Sequence, residues 1–177
     1  MGKKNRSKRQ PKKRDWTAWY VTVGVVVVLG GIVGFNLYRD AQLPGERFRS
    51  LGNVHIGERA ATPNYNTNPP TSGPHYPYLA GWGVFDEAPA DEALVHNMED
   101  GGVVLWYKPG STEENELRIR QLEDASRGYR RITIVPRDSL DTTYALTAWQ
   151  RLDAFDTFDA ERVRTFVDAY EGIDHHR

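Results

Sequence analysis

An α+β domain carried behind an N-terminal transmembrane helix is the fold class this sequence predicts, and three observations predict it. Residues 16–38 form a run of 23 without a formal charge. Beyond it, short runs of β character are followed by segments with the 3.6-residue period of helices. Their order is strand, loop, strand, helix, strand, strand, helix. That order fits a compact domain with a small, mostly antiparallel sheet and two helices.

The apolar run has Val21 to Leu29 at its centre, Trp16, Trp19 and Tyr20 at one end and Tyr38 at the other. As a helix it extends roughly 35 Å at about 1.5 Å per residue, enough for a hydrocarbon core of about 30 Å. Aromatic residues at both ends suit the two interfaces with water. Residues 1–15 hold eight Lys or Arg against Asp15 alone. This basic tail is expected to stay in the cytoplasm, which places the following domain outside, in the periplasm or at the cell surface. A cleaved signal peptide would have a shorter apolar region and a small-residue cleavage site. The span is therefore expected to remain as a single-pass anchor in the lipid bilayer.

After the span, residues 39–51 read as a linker or edge segment, residues 52–172 as the domain, and 173–177 as a tail that frays. From Arg39 onward there are 15 basic and 23 acidic residues, a balance of -8. That acidity excludes nucleic acid as a partner, since phosphate binding needs a basic face. With no cysteine, disulfides and thiolate sites are also excluded.

Within the domain, Val54 and Ile56 alternate with His55, as in a short strand. Val103 to Tyr107 has the composition of a buried strand. Ser111 with Glu114 forms a capping-box pattern that opens a helix through about Ser126. Ile132 to Val135 and Tyr144 to Gln150 read as strands. Val163, Phe166, Val167 and Tyr170 recur at helical spacing behind Asp159 as N-cap, with Gly172 at the stop. Leu94 to Met98 fits either a strand end or one helical turn. Trp82, Trp106 and Trp149 read as core residues.

The chemistry concentrates between Tyr65 and Tyr107. Pro69, Pro70, Thr71, Ser72, Gly73 and Pro74 form a loop with little backbone freedom, and its Asn, Thr and Ser side chains suit tight turns. His55, His75 and His96 lie before, within and after it. Beside His96 stand Met98, Glu99 and Asp100. Imidazole with carboxylate suits zinc, and imidazole with thioether suits copper. The same histidines also suit a bracing role, hydrogen-bonded to carbonyls of the proline loop. Tyr76, Tyr78 and Trp82 offer aromatic anchors for a partner. No phosphate-binding glycine loop and no serine nucleophile elbow occurs.

The runs PPTSGPHYP (69–77), WGVF (82–85) and LVHNME (94–99) followed by GGVV (101–104) resemble a bacterial family of domains of unknown function, number 3105. The resemblance covers about residues 45–172. It implies a single-span membrane protein with its domain outside the cytoplasm, and it implies no established activity. Family members usually have Leu-Glu-His-Gly where this chain has Met98-Glu99-Asp100-Gly101. Their H-x-x-E-H pattern is similar to the inverted zinc-peptidase motif, and Asp100 here replaces its second histidine. The resemblance also leans towards copper handling.

Three functions are therefore expected, in order. The first is a transition-metal module for copper or zinc, with His55, His75 and His96 as nitrogen ligands and Met98, Glu99 or Asp100 completing the set. The second is a non-catalytic accessory subunit of a membrane complex of respiratory type. The third is a metal-dependent surface hydrolase with Glu99 as base.

Overall fold

The computed structural model describes residues 16–176; the basic tail, residues 1–15, lies outside the described residues. The chain separates into two compact units, one ending at Leu43 and one starting at Pro44. In the first, helix α1 runs Thr17–Ala41 with no buried residue. It is long and apolar enough to cross a membrane. Its polar side chains are satisfied along the helix itself: the Thr22 hydroxyl donates to the Ala18 carbonyl at 2.9 Å and the Asn36 amide to the Ile32 carbonyl at 2.8 Å. Such pairing to the carbonyl four residues back keeps both side chains bonded within the helix.

The second unit is α+β. Its elements are β1 (Glu46–Arg47), β2 (Gly83–Val84), α2 (Asp91–Glu99), β3 (Val103–Tyr107), α3 (Thr112–Ala125), β4 (Ile132–Pro136), β5 (Tyr144–Ala148), β6 (Arg151–Phe155) and α4 (Ala160–Tyr170). All six strands form one sheet in the order β1-β6-β5-β3-β4-β2. The sheet is mixed, which corrects the expectation of a mostly antiparallel one. β3 pairs with β4 in parallel, as does β2, whereas β3–β5, β5–β6 and β6–β1 are antiparallel. The parallel pair follows from the connection: α3 lies between β3 and β4 in the chain, and a crossover helix returns the chain in the same direction.

The domain has three helices, not the expected two. Leu94 to Met98 belongs to α2, a nine-residue helix with Asp91 and Glu92 in its first turn. Those carboxylates favour the positive end of the helix dipole, and Arg137 grips Asp91 through two bonds of 2.7 and 3.1 Å. The strand expected at Val54–Ile56 reduces to a single parallel bridge between His55 and His75. The strand β6 was not foreseen: its alternation is short, with only Leu152 and Ala154 interleaved with Arg151 and Asp153 before Phe155. It forms through the turn at Gln150, which takes a left-handed φ of 63°.

β3 divides the core. Val103, Leu105 and Tyr107 face one side, where Leu122 of α3 and Val163, Phe166 and Val167 of α4 pack. Val104 and Trp106 face the other, against Leu94, Val95 and Met98 of α2. This is the two-residue period of a strand buried on both faces. The Ser111–Glu114 capping box is present at the start of α3, and Asp159 caps α4 through the amides of Glu161 and Arg162.

Candidate metal centre

Helix α2 presents His96 and Glu99 on one face, three residues apart. Its core side is held by Asn97, whose side-chain oxygen accepts from the Ala80 amide at 2.9 Å. The Asn97 amide donates to the Gly81 carbonyl at 2.7 Å and the Thr133 hydroxyl at 3.0 Å. Asn97 thereby ties α2 to the end of the proline loop and to β4. Nothing in its local sequence sets it apart from an ordinary helix residue.

The loop from Pro69 to Gly73 is buried. Its polar residues act as long-range ties rather than as turns closed on themselves. Asn68 bonds the Ser139 carbonyl at 2.6 Å and accepts from Arg137 at 2.7 Å; the Ser72 hydroxyl accepts from the Leu51 amide at 3.2 Å. The Thr71 carbonyl accepts from the Gln150 amide at 2.9 Å, so the β5–β6 turn supports the loop from below. Tyr65 closes it by donating to the Pro74 carbonyl at 2.9 Å. His75 is then fixed against the 54–56 segment, its amide donating to the Val54 carbonyl at 3.0 Å and its carbonyl accepting from Ile56 at 2.7 Å.

These elements bring His55, His75, His96 and Glu99 together, with one potential ligand atom from each lying within 4.8 Å of all the others. From the Glu99 Oε2 atom, His75 Nε2 is at 2.9 Å, His55 Nε2 at 3.5 Å and His96 Nδ1 at 4.0 Å. Ligands at roughly 2.0–2.1 Å around a tetrahedral ion stand about 3.3–3.4 Å apart, so the spread straddles that of a metal site.

The protonation pattern sharpens this. His75 Nδ1 is 2.8 Å from the Gly73 carbonyl, which only accepts, so Nδ1 carries hydrogen. The opposite nitrogen, Nε2, therefore meets a carboxylate oxygen at 2.9 Å, with Glu99 1% exposed and His75 fully buried. Two lone pairs at that distance repel, so a cation, proton or metal, belongs between them. His96 Nδ1 is buried with no hydrogen-bond partner. Burial lowers the His96 pKa, against the opposing pull of Asp100 and Glu99, and favours the neutral, ligating imidazole. For Glu99, burial acts to raise the pKa, but a hydrogen bond from Asn53 and the charges of His75 and His176 outweigh it and hold it below the usual range.

Two expected ligands fall elsewhere. Met98 packs fully buried among Leu94, Val95, Trp106 and Trp149 in the apolar core, because the helix turns it almost opposite to His96. Asp100, at the helix end, lies with His96 and His176 in a neighbouring group. Of the aromatic residues, Tyr76 stacks on Tyr78 at 5.3 Å between ring centres, and Tyr78 is exposed. Trp82 is only partly buried and packs over Gly102, unlike buried Trp106 and Trp149.

The C-terminal residues, expected to fray, are bound in place. The Gly172 amide donates to the Gly101 carbonyl and the His175 amide to the Glu99 carbonyl, both at 2.8 Å. Gly101 permits this approach: its φ is +79°, and a Cβ there would stand 2.7 Å from the Ile173 nitrogen. His175 stacks on Trp149 at 5.9 Å, and burial lowers its pKa. The pair His175-His176 was legible in the sequence, but only as residues of a terminus.

A family model described as "Protein of unknown function (DUF3105)" matches residues 57–176, a stretch that contains every residue of this cluster except His55. No curated protein and no solved structure matches the chain. With well over half its length matched, the chain belongs to the DUF3105 family.

Proposed function

We propose that this protein is a membrane-anchored metal-binding module whose centre is built by His55, His75, His96 and Glu99. The observation that carries the reading is the convergence of three imidazole nitrogens on one buried carboxylate oxygen. With the thioether of Met98 in the core, the donors are imidazole and carboxylate alone. That set suits zinc or copper(II) better than copper(I), which prefers softer sulfur. The bracing role first weighed for these histidines is met in part by His75, whose Nδ1 bonds the Gly73 carbonyl of the loop, and is shared with Asn97, Asn68, Ser72 and Tyr65. His75 keeps its other nitrogen, Nε2, turned to Glu99, and His96 Nδ1 is left without a hydrogen-bond partner.

In this reading α1 anchors the module in the bilayer, and the basic residues 1–15 keep the N-terminus in the cytoplasm and the domain outside. The module binds or passes on metal near the membrane surface. Glu99 acts as a ligand, which sets the hydrolase reading behind, because a carboxylate surrounded by imidazoles is not free to serve as general base. An accessory role within a membrane complex is compatible with metal binding. The stacked Tyr76 and Tyr78, with exposed Leu79 beside them, support it as an aromatic docking patch.

The test is the metal content of the full chain, purified without a histidine tag in detergent micelles and equilibrated with Zn²⁺ or Cu²⁺. Tight, near-stoichiometric metal that is lost in the His75→Ala/His96→Ala double variant is the expected result. A wild-type chain that retains neither ion overturns the reading.

A further inference from the structure

Beside this inner set lies a second group that the proline loop does not build. His176 Nε2 is 3.3 Å from Glu99 Oε2 and 3.3 Å from Asp100 Oδ1. Its other nitrogen, Nδ1, is 2.8 Å from Asp174 Oδ1. Asp174 thus holds the hydrogen on Nδ1 and turns Nε2 towards two carboxylates, where either a proton or a metal ion fits. A carboxylate that orients a histidine through its far nitrogen is the usual support of a metal ligand. The Arg131 guanidinium donates to the main-chain carbonyl of Asp100. His96, whose buried Nδ1 has no partner, belongs to both groups.

We propose that Asp100 and His176 hold a second metal ion beside the first, with Glu99 Oε2 as the shared oxygen and the single lone pair of His96 Nδ1 going to one ion of the two. The protein then holds a pair of like divalent ions, zinc or copper(II), bridged by one carboxylate. Such pairs stand roughly 3.5–4 Å apart. The proposal rests on the reading of the inner set as a metal centre. What it adds is a ligand from the C-terminal segment, positioned by Gly172 and His175 on the end of α2. Each position has one exposed ligand, His55 at 45% in the inner set and His176 at 42% in the outer, with the shared Glu99 only 1% exposed between them.

The test is ion stoichiometry in the full chain, tag-free in detergent micelles, for the wild type, His176→Ala and Asp100→Asn. Both substitutions lie at the exposed end of the cluster, and circular dichroism verifies the fold of each. The expected result is two Zn²⁺ per wild-type chain and one in each variant. With Cu²⁺, the wild type is expected to show the half-field paramagnetic resonance of two coupled ions, and His176→Ala a single-ion spectrum. One ion in the wild type and one in the variants overturns the second position while leaving the inner centre intact. One ion in the wild type and none in His176→Ala also overturns it, making His176 a ligand of a single ion. Two ions in both wild type and variants overturns it too, since the second then binds elsewhere. A wild type without metal overturns the inner centre itself, and this proposal with it.

Discussion

His75 Nε2 faces Glu99 Oε2 at 2.9 Å, and both side chains are withdrawn from solvent. Because the Gly73 carbonyl fixes hydrogen on the other His75 nitrogen, the contact is attractive only with a cation between the two atoms. A metal that replaces a proton there links ion binding directly to the stability of the fold.

Zinc is therefore expected to stabilise the protein by about 2.7 kcal/mol at a free concentration one hundred times its dissociation constant. Differential scanning calorimetry of the full chain, with and without Zn²⁺, reads this as a rise in Tm. The His75→Ala variant should show no such rise.

Glu99→Gln keeps the shape of the side chain and lets its amide donate to His75 Nε2. The metal-free protein is expected to melt close to the wild type, whereas zinc affinity, measured by competition with a chromophoric chelator, should fall by about tenfold or more. Unchanged affinity would remove Glu99 from the ligand set.

Asn97 is fully buried and makes three hydrogen bonds to two other parts of the domain. Asn97→Ala leaves the Ala80 amide unpaired and the Gly81 carbonyl with the Thr133 hydroxyl as its partner, and is expected to cost about 1–3 kcal/mol. Denaturant titration measures the loss. Zinc affinity should weaken with it, because the same side chain sets the distance between α2 and the proline loop.

Gly101→Ala is expected to release the C-terminal segment, since its Cβ would meet the backbone of Gly172 and Ile173 at 2.7–2.8 Å. The positive φ adds strain of order 1 kcal/mol. Loss of the His175 stack should change the fluorescence of Trp149, and His176 should leave the cluster.

Ser111→Ala removes the N-cap of α3 and is expected to cost about 1 kcal/mol near neutral pH. The Glu113 carboxyl is held below its usual pKa by its own backbone amide and by the Ser111 hydroxyl. A lowered folded-state value gives stability that is present above the unfolded pKa and lost as pH falls through the folded one. The difference between Ser111→Ala and wild type should accordingly shrink as the pH drops below about 4.3, the ordinary glutamate value. Thermal melts across that range check it.

Much of the scaffold was legible in local patterns. Ser111 and Glu114 announced α3, Asp159 and the spacing of Val163, Phe166 and Tyr170 announced α4, and the apolar runs announced β3, β4 and β5. The short pieces were not: β1 and β2 have two residues each and exist only through the neighbours they pair with. For the same reason α2 stayed ambiguous, since nine residues with every member after Asp91 buried show no amphipathic contrast.

By itself, the sequence determined the apolar helix, the two-sided character of β3, the rigidity of the proline loop and the list of candidate donors. Each is set by residues adjacent in the chain, through covalent geometry, periodicity and transfer free energy. Which donors meet was decided only by the tertiary structure. His55 and His75 are joined by one backbone bridge, His96 and Glu99 by one helical turn, and His176 by a terminus folded back over Gly101. Met98, two residues from His96, is turned into the core instead. Convergence depends on hydrogen bonds made across tens of residues, and no local spacing encodes them.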